Sequence, residues 1–153
     1  MDHIQLKEWV AGIVPDAVFE ENKQFVTVTV EPDQLLDLLK KLKESPETLF
    51  DFLFCITGAD VNNKLMVIYH LESTSHGHQI EVKTGTEDRE NAQLDSICSL
   101  YEGAELHENE IFDLFGISFK GHPNLRRMFM PDDWKGYPLR KDYVDDVNII
   151  DLT

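Results

Sequence analysis

Apolar positions along this chain change their spacing several times, and each change marks an element. Leu6, Trp9, Val10 and Ile13 recur at helical intervals behind Asp2 and Gln5, a pair spaced as a capping box. The spacing predicts a first helix that closes around Gly12 and Pro15. Two short runs follow, AVFEEN and QFVTVTV; in the second, Phe25, Thr27 and Thr29 alternate with Val26, Val28 and Val30, as a strand with one buried face requires. Together they predict a hairpin. Glu31-Pro32-Asp33 opens a second helix, with an apolar stripe of Leu35, Leu38, Leu39 and Leu42 that stops before Pro46.

Three strand-like runs come next, over 48–58, 64–71 and 78–85, separated by the turn formers of ADVNN and ESTSHG. Leu94, Ile97, Cys98 and Tyr101 return to helical spacing and predict a helix over 88–101. Ile111, Phe112 and Phe115 predict a shorter one over 105–115, ended by Gly116. The expected order is α-β-β-α-β-β-β-α-α over residues 1–116. That order reads as an α+β two-layer domain with a mostly antiparallel or mixed sheet and helices on one face.

Residues 117–153 fit no such element and read as an extended, irregular C-terminal arm. Its centre, GHPNLRRMFMPDDWKGYPLRKDY, is broken by Pro123, Pro131, Pro138, Gly121 and Gly136 too often for a helix or a central strand. Yet Met128, Phe129, Trp134, Tyr137 and Tyr143 make it too apolar for a disordered tail. Charge separates it further. The chain carries a net charge of −15, with 8 basic and 23 acidic residues before position 120, whereas Lys120, Arg126, Arg127, Lys135, Arg140 and Lys141 face only Asp132 and Asp133 over 120–141. Four aspartates follow. An extended segment needs partners for its backbone and cover for its aromatics, and composition leaves open what it lies against. Arginines among aromatics would also suit an RNA-binding module through 120–141, but the field of the acidic body opposes it.

Little else points to chemistry. Cys55 and Cys98 are too few and too far apart for a four-thiolate cluster, and both read as small core hydrophobes. No phosphate- or dinucleotide-cradling glycine motif is present. His70, His76 and His78 could hold a transition metal if two strands brought them together, although a polar hairpin with solvent-facing histidines is the plainer reading. His107, Glu108, Glu110 and Asp113 place carboxylates near an imidazole, which can do acid–base work, but helix capping or partner contact explains them as well. Apolar runs such as FLFCI fall short of the roughly 20 residues that span a bilayer. The N-terminus lacks the order of a signal peptide, so a soluble cytosolic chain is expected.

The run ENEIFDLFGISFKGHPNLRRMFMPDDWKGYPLRKDY closely resembles the 30-kDa subunit family of respiratory complex I. The resemblance rests on Glu108, Glu110, Asp113 and Gly116, on His122 and Pro123 before the two arginines, and on Trp134 through Tyr143. Weaker likeness reaches upstream through GAD (58–60) and VIYHL (67–71). Asn109 stands where the family usually has an arginine, Leu106 near a common tryptophan, and Val144 where a proline often follows. The resemblance implies a non-redox structural subunit of the peripheral arm of a proton-translocating NADH:quinone oxidoreductase. It would carry no catalytic, cofactor-binding or metal residue, and would sit in a complex that holds FMN, iron–sulfur clusters, NADH and quinone. It further implies docking on the large quinone-site subunit, no nucleic-acid partner, and a peripheral place on the cytoplasmic side of the cell membrane, reached only through the complex. The residues expected to make the contact are Arg126, Arg127, Arg140 and Lys141 as charged anchors and Phe129, Trp134, Tyr137 and Tyr143 as apolar ones. Related subunits serve membrane-bound hydrogenases and ferredoxin- or F420H2-dependent dehydrogenases, an alternative the residues leave open.

Overall fold

The computed structural model describes residues 1–21 and 24–145; the turn of the expected hairpin at 22–23 and the last eight residues of the expected arm, with Asp146 and Asp151, lie outside the described residues. The elements are α1 (His3–Ile13), β1 (Val18–Glu20), β2 (Val26–Thr29), α2 (Leu35–Glu44), β3 (Phe52–Val61), β4 (Lys64–Glu72), β5 (Gln79–Thr86), β6 (Gln93–Asp95), α3 (Ala104–Phe115) and β7 (Ser118–Lys120). The Asp2 side chain accepts from the Gln5 N–H and the Gln5 side chain returns the bond, so α1 starts at its capping box. Pro32 opens a 3-10 turn that leads into α2.

Five strands form one mixed sheet in the order β1-β2-β5-β4-β3, antiparallel throughout except where β2 runs parallel to β5. The alternation seen in sequence sets which side is buried. Leu65, Val67, Tyr69 and Leu71 of β4 are fully buried, while Met66, Ile68 and His70 between them are only half-buried. Register places Val26 and Val28 of β2 beside Ile80 and Val82 of β5, and all four are fully buried. The leucine stripe of α2 is fully buried too, each side chain contributing about 1.5–3 kcal/mol. The α+β class and the mixed sheet are as expected.

The helix expected over 88–101 does not form. Leu94, Ile97 and Tyr101 are buried as their spacing implies, but Leu94 belongs to β6, which pairs in parallel with β7, and Ile97 to Tyr101 make a single turn. Two local bonds divert the chain. Asp88 folds its carboxylate back onto the N–H groups of Glu90 and Asn91, and Ile97 N–H goes to the carboxylate of Glu108. Helical spacing is therefore real here as a burial pattern and wrong as an element, because tertiary partners override propensity. The strand expected over 48–58 begins later and runs further, at Phe52–Val61.

Candidate docking site

Helix α3 sends Ile111 and Phe115 inward and turns Asp113, fully buried, toward the segment that follows it. Asp113 Oδ2 accepts from three successive backbone N–H groups, those of Met128 (3.0 Å), Phe129 (2.6 Å) and Met130 (3.0 Å). Its Oδ1 accepts from Arg127 Nη1 at 2.8 Å, and Arg127 Nη2 donates onward to the carbonyls of Trp134 (3.2 Å) and Gly136 (3.1 Å). Burial alone would raise the Asp113 pKa, yet these donors hold it below the ordinary carboxylate value. A segment that makes only short turns with itself, at Pro131–Trp134, Tyr137–Arg140 and Arg140–Tyr143, takes the backbone order of residues 128–130 from one carboxylate.

Arg140 closes the C-terminus of α3. Its Nε donates to the Phe115 carbonyl at 2.5 Å, Nη2 to Gly116 at 3.3 Å and Nη1 to Arg89 at 2.7 Å, which satisfies carbonyls that a helix end leaves open. The Tyr137 ring lies beside both guanidinium groups, 5.1 Å from Arg127 and 4.9 Å from Arg140. It also presses on Gly116, which caps α3 at φ 70°; a Cβ there would overlap the ring. Trp134 is half-buried with its Nε1 enclosed and without a hydrogen-bond partner, and the half-buried Tyr143 ring lies over Gly136.

A third tie joins the segment to the sheet. Arg89 grips Asp60 with two bonds of 2.9 and 2.7 Å, and Asp60 Oδ2 also accepts from the Lys141 backbone N–H at 2.9 Å. The Arg89 bonds hold the Asp60 carboxyl at a pKa of about 2, although burial alone would raise it. Arg89 reaches Asp142 as well. Arg89 does not stand out in the sequence, and Asp60 is marked there only by the GAD run (58–60), at the start of an expected turn, with no sign of its partner.

Glu108, fully buried, accepts from Ser96 Oγ (2.6 Å), Ile97 N–H (2.8 Å) and the Cys98 thiol (3.4 Å). Burial raises the Glu108 pKa above its ordinary value and pushes the Cys98 thiol up to about 11. Cys98, Glu108 and His122 bring ligand atoms within 4.8 Å of one another. The hydrogen bonds do not favour a cation there: His122 Nδ1 accepts from Asn124 N–H, which leaves Nε2 protonated and facing the Glu105 carbonyl at 3.0 Å. The cluster instead pins the loop after β7 to α3. Asn109, the residue in place of the family's arginine, is buried and accepts from the Arg126 N–H at 3.0 Å. The rings of His76 and His78 stack at 5.3 Å, but His70, His76 and His78 share no centre, since their Nε2 atoms face Glu81, the Pro46 carbonyl and the Thr48 carbonyl respectively, and His78 is buried rather than solvent-facing.

With Arg127 and Arg140 engaged inside the chain, a different set faces outward. Phe129 is 59% exposed, Leu139 53% and Met128 38%, and Arg126, Lys135 and Lys141 are exposed. Glu110 and Pro123 are also exposed.

A family model for the respiratory-chain NADH dehydrogenase 30 kDa subunit matches residues 28–147. The C subunit of NADH-quinone oxidoreductase from Roseiflexus sp. (strain RS-1) is 38% identical over 147 residues, which cover 93% of this chain and 84% of that one. The C/D subunit of the same enzyme from Phocaeicola vulgatus is 41% identical over 127 residues, 82% of this chain but only 24% of that longer one. A chain of the membrane-bound sulfane sulfur reductase, an archaeal respiratory membrane complex, superposes with a TM-score of 0.77 at 26% identity, over 93% of this chain and 85% of that one. No helix among the described residues is long and apolar enough to cross a membrane.

Proposed function

We propose, from the premise that this chain belongs to the 30 kDa subunit family of the respiratory-chain NADH dehydrogenase, that it is a non-redox assembly subunit of a proton-translocating NADH:quinone oxidoreductase. It docks on the large quinone-site subunit through the arm at 117–153. One observation carries this reading: Phe129, Met128 and Leu139 are exposed on a segment whose backbone is already fixed by Asp113, Asp60 and α3. Apolar groups held outward by a rigid frame are what an interface uses for its anchors. Arg126, Lys135 and Lys141 supply charge at the rim. Arg127, Arg140, Trp134, Tyr137 and Tyr143 shape the surface from within.

Fusion in relatives supports the choice of partner. In the Phocaeicola vulgatus protein a stretch similar to this chain is part of a much longer one named C/D, and covalent joining keeps two subunits side by side. Flavin, iron–sulfur clusters, NADH and quinone belong to other subunits on this reading, and the chain lies on the cytoplasmic face of the membrane through its partners.

A second reading keeps the family and changes the machine, since the likeness to the sulfane sulfur reductase covers 93% of this chain. Purification of the tagged chain from native membranes, with co-purifying subunits identified by mass spectrometry, tests both. A flavin-bearing, NADH-oxidising subunit together with the large quinone-site subunit is the expected result. A large subunit without any NADH-oxidising partner favours the second reading, and a chain that purifies alone overturns both.

A further inference from the structure

The two edges of the main sheet are built differently. β1 is three residues long and ends at Glu20, whose carboxylate is tied to Lys83. Short edges with charges are how proteins keep sheets from pairing with other chains. β3 at the opposite edge is ten residues, FLFCITGADV, without proline or lysine. Its only charge, Asp60, is buried under Arg89, and a bulge between Leu53 and Cys55 interrupts the strand near its start, so the regular edge runs from Cys55 to Val61. Every second residue of an edge strand turns its N–H and C=O outward, and among the described residues no backbone bond from outside the sheet meets β3. Phe52 and Val61 are roughly half exposed at its two ends.

Beside this edge runs a cleft of about 330 Å³ between β3 and α3, with Cys55, Thr57, His107, Glu110, Leu114 and Leu139 in its lining. Its floor is apolar, and its charged lining residue is acidic; no lysine or arginine lines it. Glu102, just before α3, is exposed and adds to the same sign. Unpaired backbone asks for an extended chain, the apolar floor for alternate apolar side chains, and the carboxylate for a cation. We propose that the outer edge of β3 receives an extended segment of a neighbouring protein in the complex as a sixth strand, apolar along the cleft and carrying Lys or Arg against Glu110. This rests on the reading of the chain as one part of a larger complex and adds a second contact, which adjoins the arm at Leu139 in the cleft and at Lys141 on Asp60.

Hydrogen–deuterium exchange, followed by mass spectrometry on the complex purified from native membranes and on the free full-length chain, tests it. Amides over 54–59 are expected to exchange about 100-fold more slowly in the complex than in the free chain, while those of β1 stay unchanged. Equal exchange of 54–59 in both samples, with protection gained only over 120–143, overturns the added strand and leaves arm docking standing. Protection gained in neither region overturns both readings. A free chain that is dimeric and already protected at 54–59 also overturns the proposal, because a second copy then fills the edge.

Discussion

Arg127 and Asp113 hold each other from opposite ends of a sharp reversal in the chain, with Nη1 placed 2.8 Å from Oδ1 and 2.9 Å from the Asp113 carbonyl. The guanidinium is 12% exposed and the carboxylate not at all. Removing one member of a buried pair leaves the other without compensation, and here it also strands three backbone N–H groups. Asp113→Ala is expected to destabilise the free chain by about 3–5 kcal/mol in denaturant unfolding. Exchange at Met128 to Met130 should rise before global unfolding begins.

Phe129 and Arg127 should separate assembly from stability. Phe129→Ala, at a 59% exposed position, is expected to change the free chain's stability by no more than about 0.5 kcal/mol while weakening association with the partner by about 2–4 kcal/mol. Arg127→Ala should do the reverse first, with a loss of about 2–3 kcal/mol in the free chain. Thermal melts of each variant beside quantitative co-purification distinguish the two roles.

Acid should loosen the tie between arm and sheet. Asp60 is depressed from 3.8 to about 2 in the folded chain, so its contribution is complete above pH 3.8 and is lost as pH falls toward 2. At neutral pH that contribution is about 2 kcal/mol. Asp60→Asn should therefore melt lower than the parent at pH 7 and approach it near pH 2, as a pH series of melts will show.

Glu108 should act with the opposite sign. Its folded pKa is raised by burial, so it costs nothing while protonated and destabilises as pH rises through the folded value. Glu108→Gln keeps an acceptor for the Ile97 N–H and turns an NH2 toward Ser96 Oγ, which can accept it, and is expected to reduce the decline in stability on going upward from pH 4.5. A steeper decline in the variant would show that the carboxylate is better solvated than its burial indicates.

Gly116→Ala should be costly for its size. The residue sits at φ 70°, and the new methyl would meet the Tyr137 ring between the two arginines. A loss of about 2 kcal/mol or more is expected, read from chemical denaturation, with Tyr137→Ala in the same chain recovering the steric part alone.

Elements are legible where one periodicity acts alone. The Leu35, Leu38, Leu39, Leu42 stripe reappears as burial, as do Val26, Val28 and Val30, although Thr27, expected on the open face of that strand, is buried as well. Over 88–101 the apolar spacing is also obeyed, but backbone geometry there is decided by Asp88, by Glu108 and by pairing with β7, and none of these is visible in a local window. In the candidate site, composition singles out the segment and treats its residues too evenly. Arg127 and Arg126 are neighbours of the same type, yet one is consumed by Asp113 and the other faces solvent. Only a partner 14 positions away separates them. Asp60 and Arg89, 29 positions apart, are hidden from sequence for the same reason.

The three N–H groups gathered on Asp113 bear on how fast and how tightly this surface can be used. A loose tail must give up about 1–2 kcal/mol of freedom for every backbone residue it immobilises on a partner. Residues 128–130 have given theirs up beforehand, inside their own fold. A partner docking there would meet a finished contour, and the ordering of these three residues would not be subtracted from the affinity.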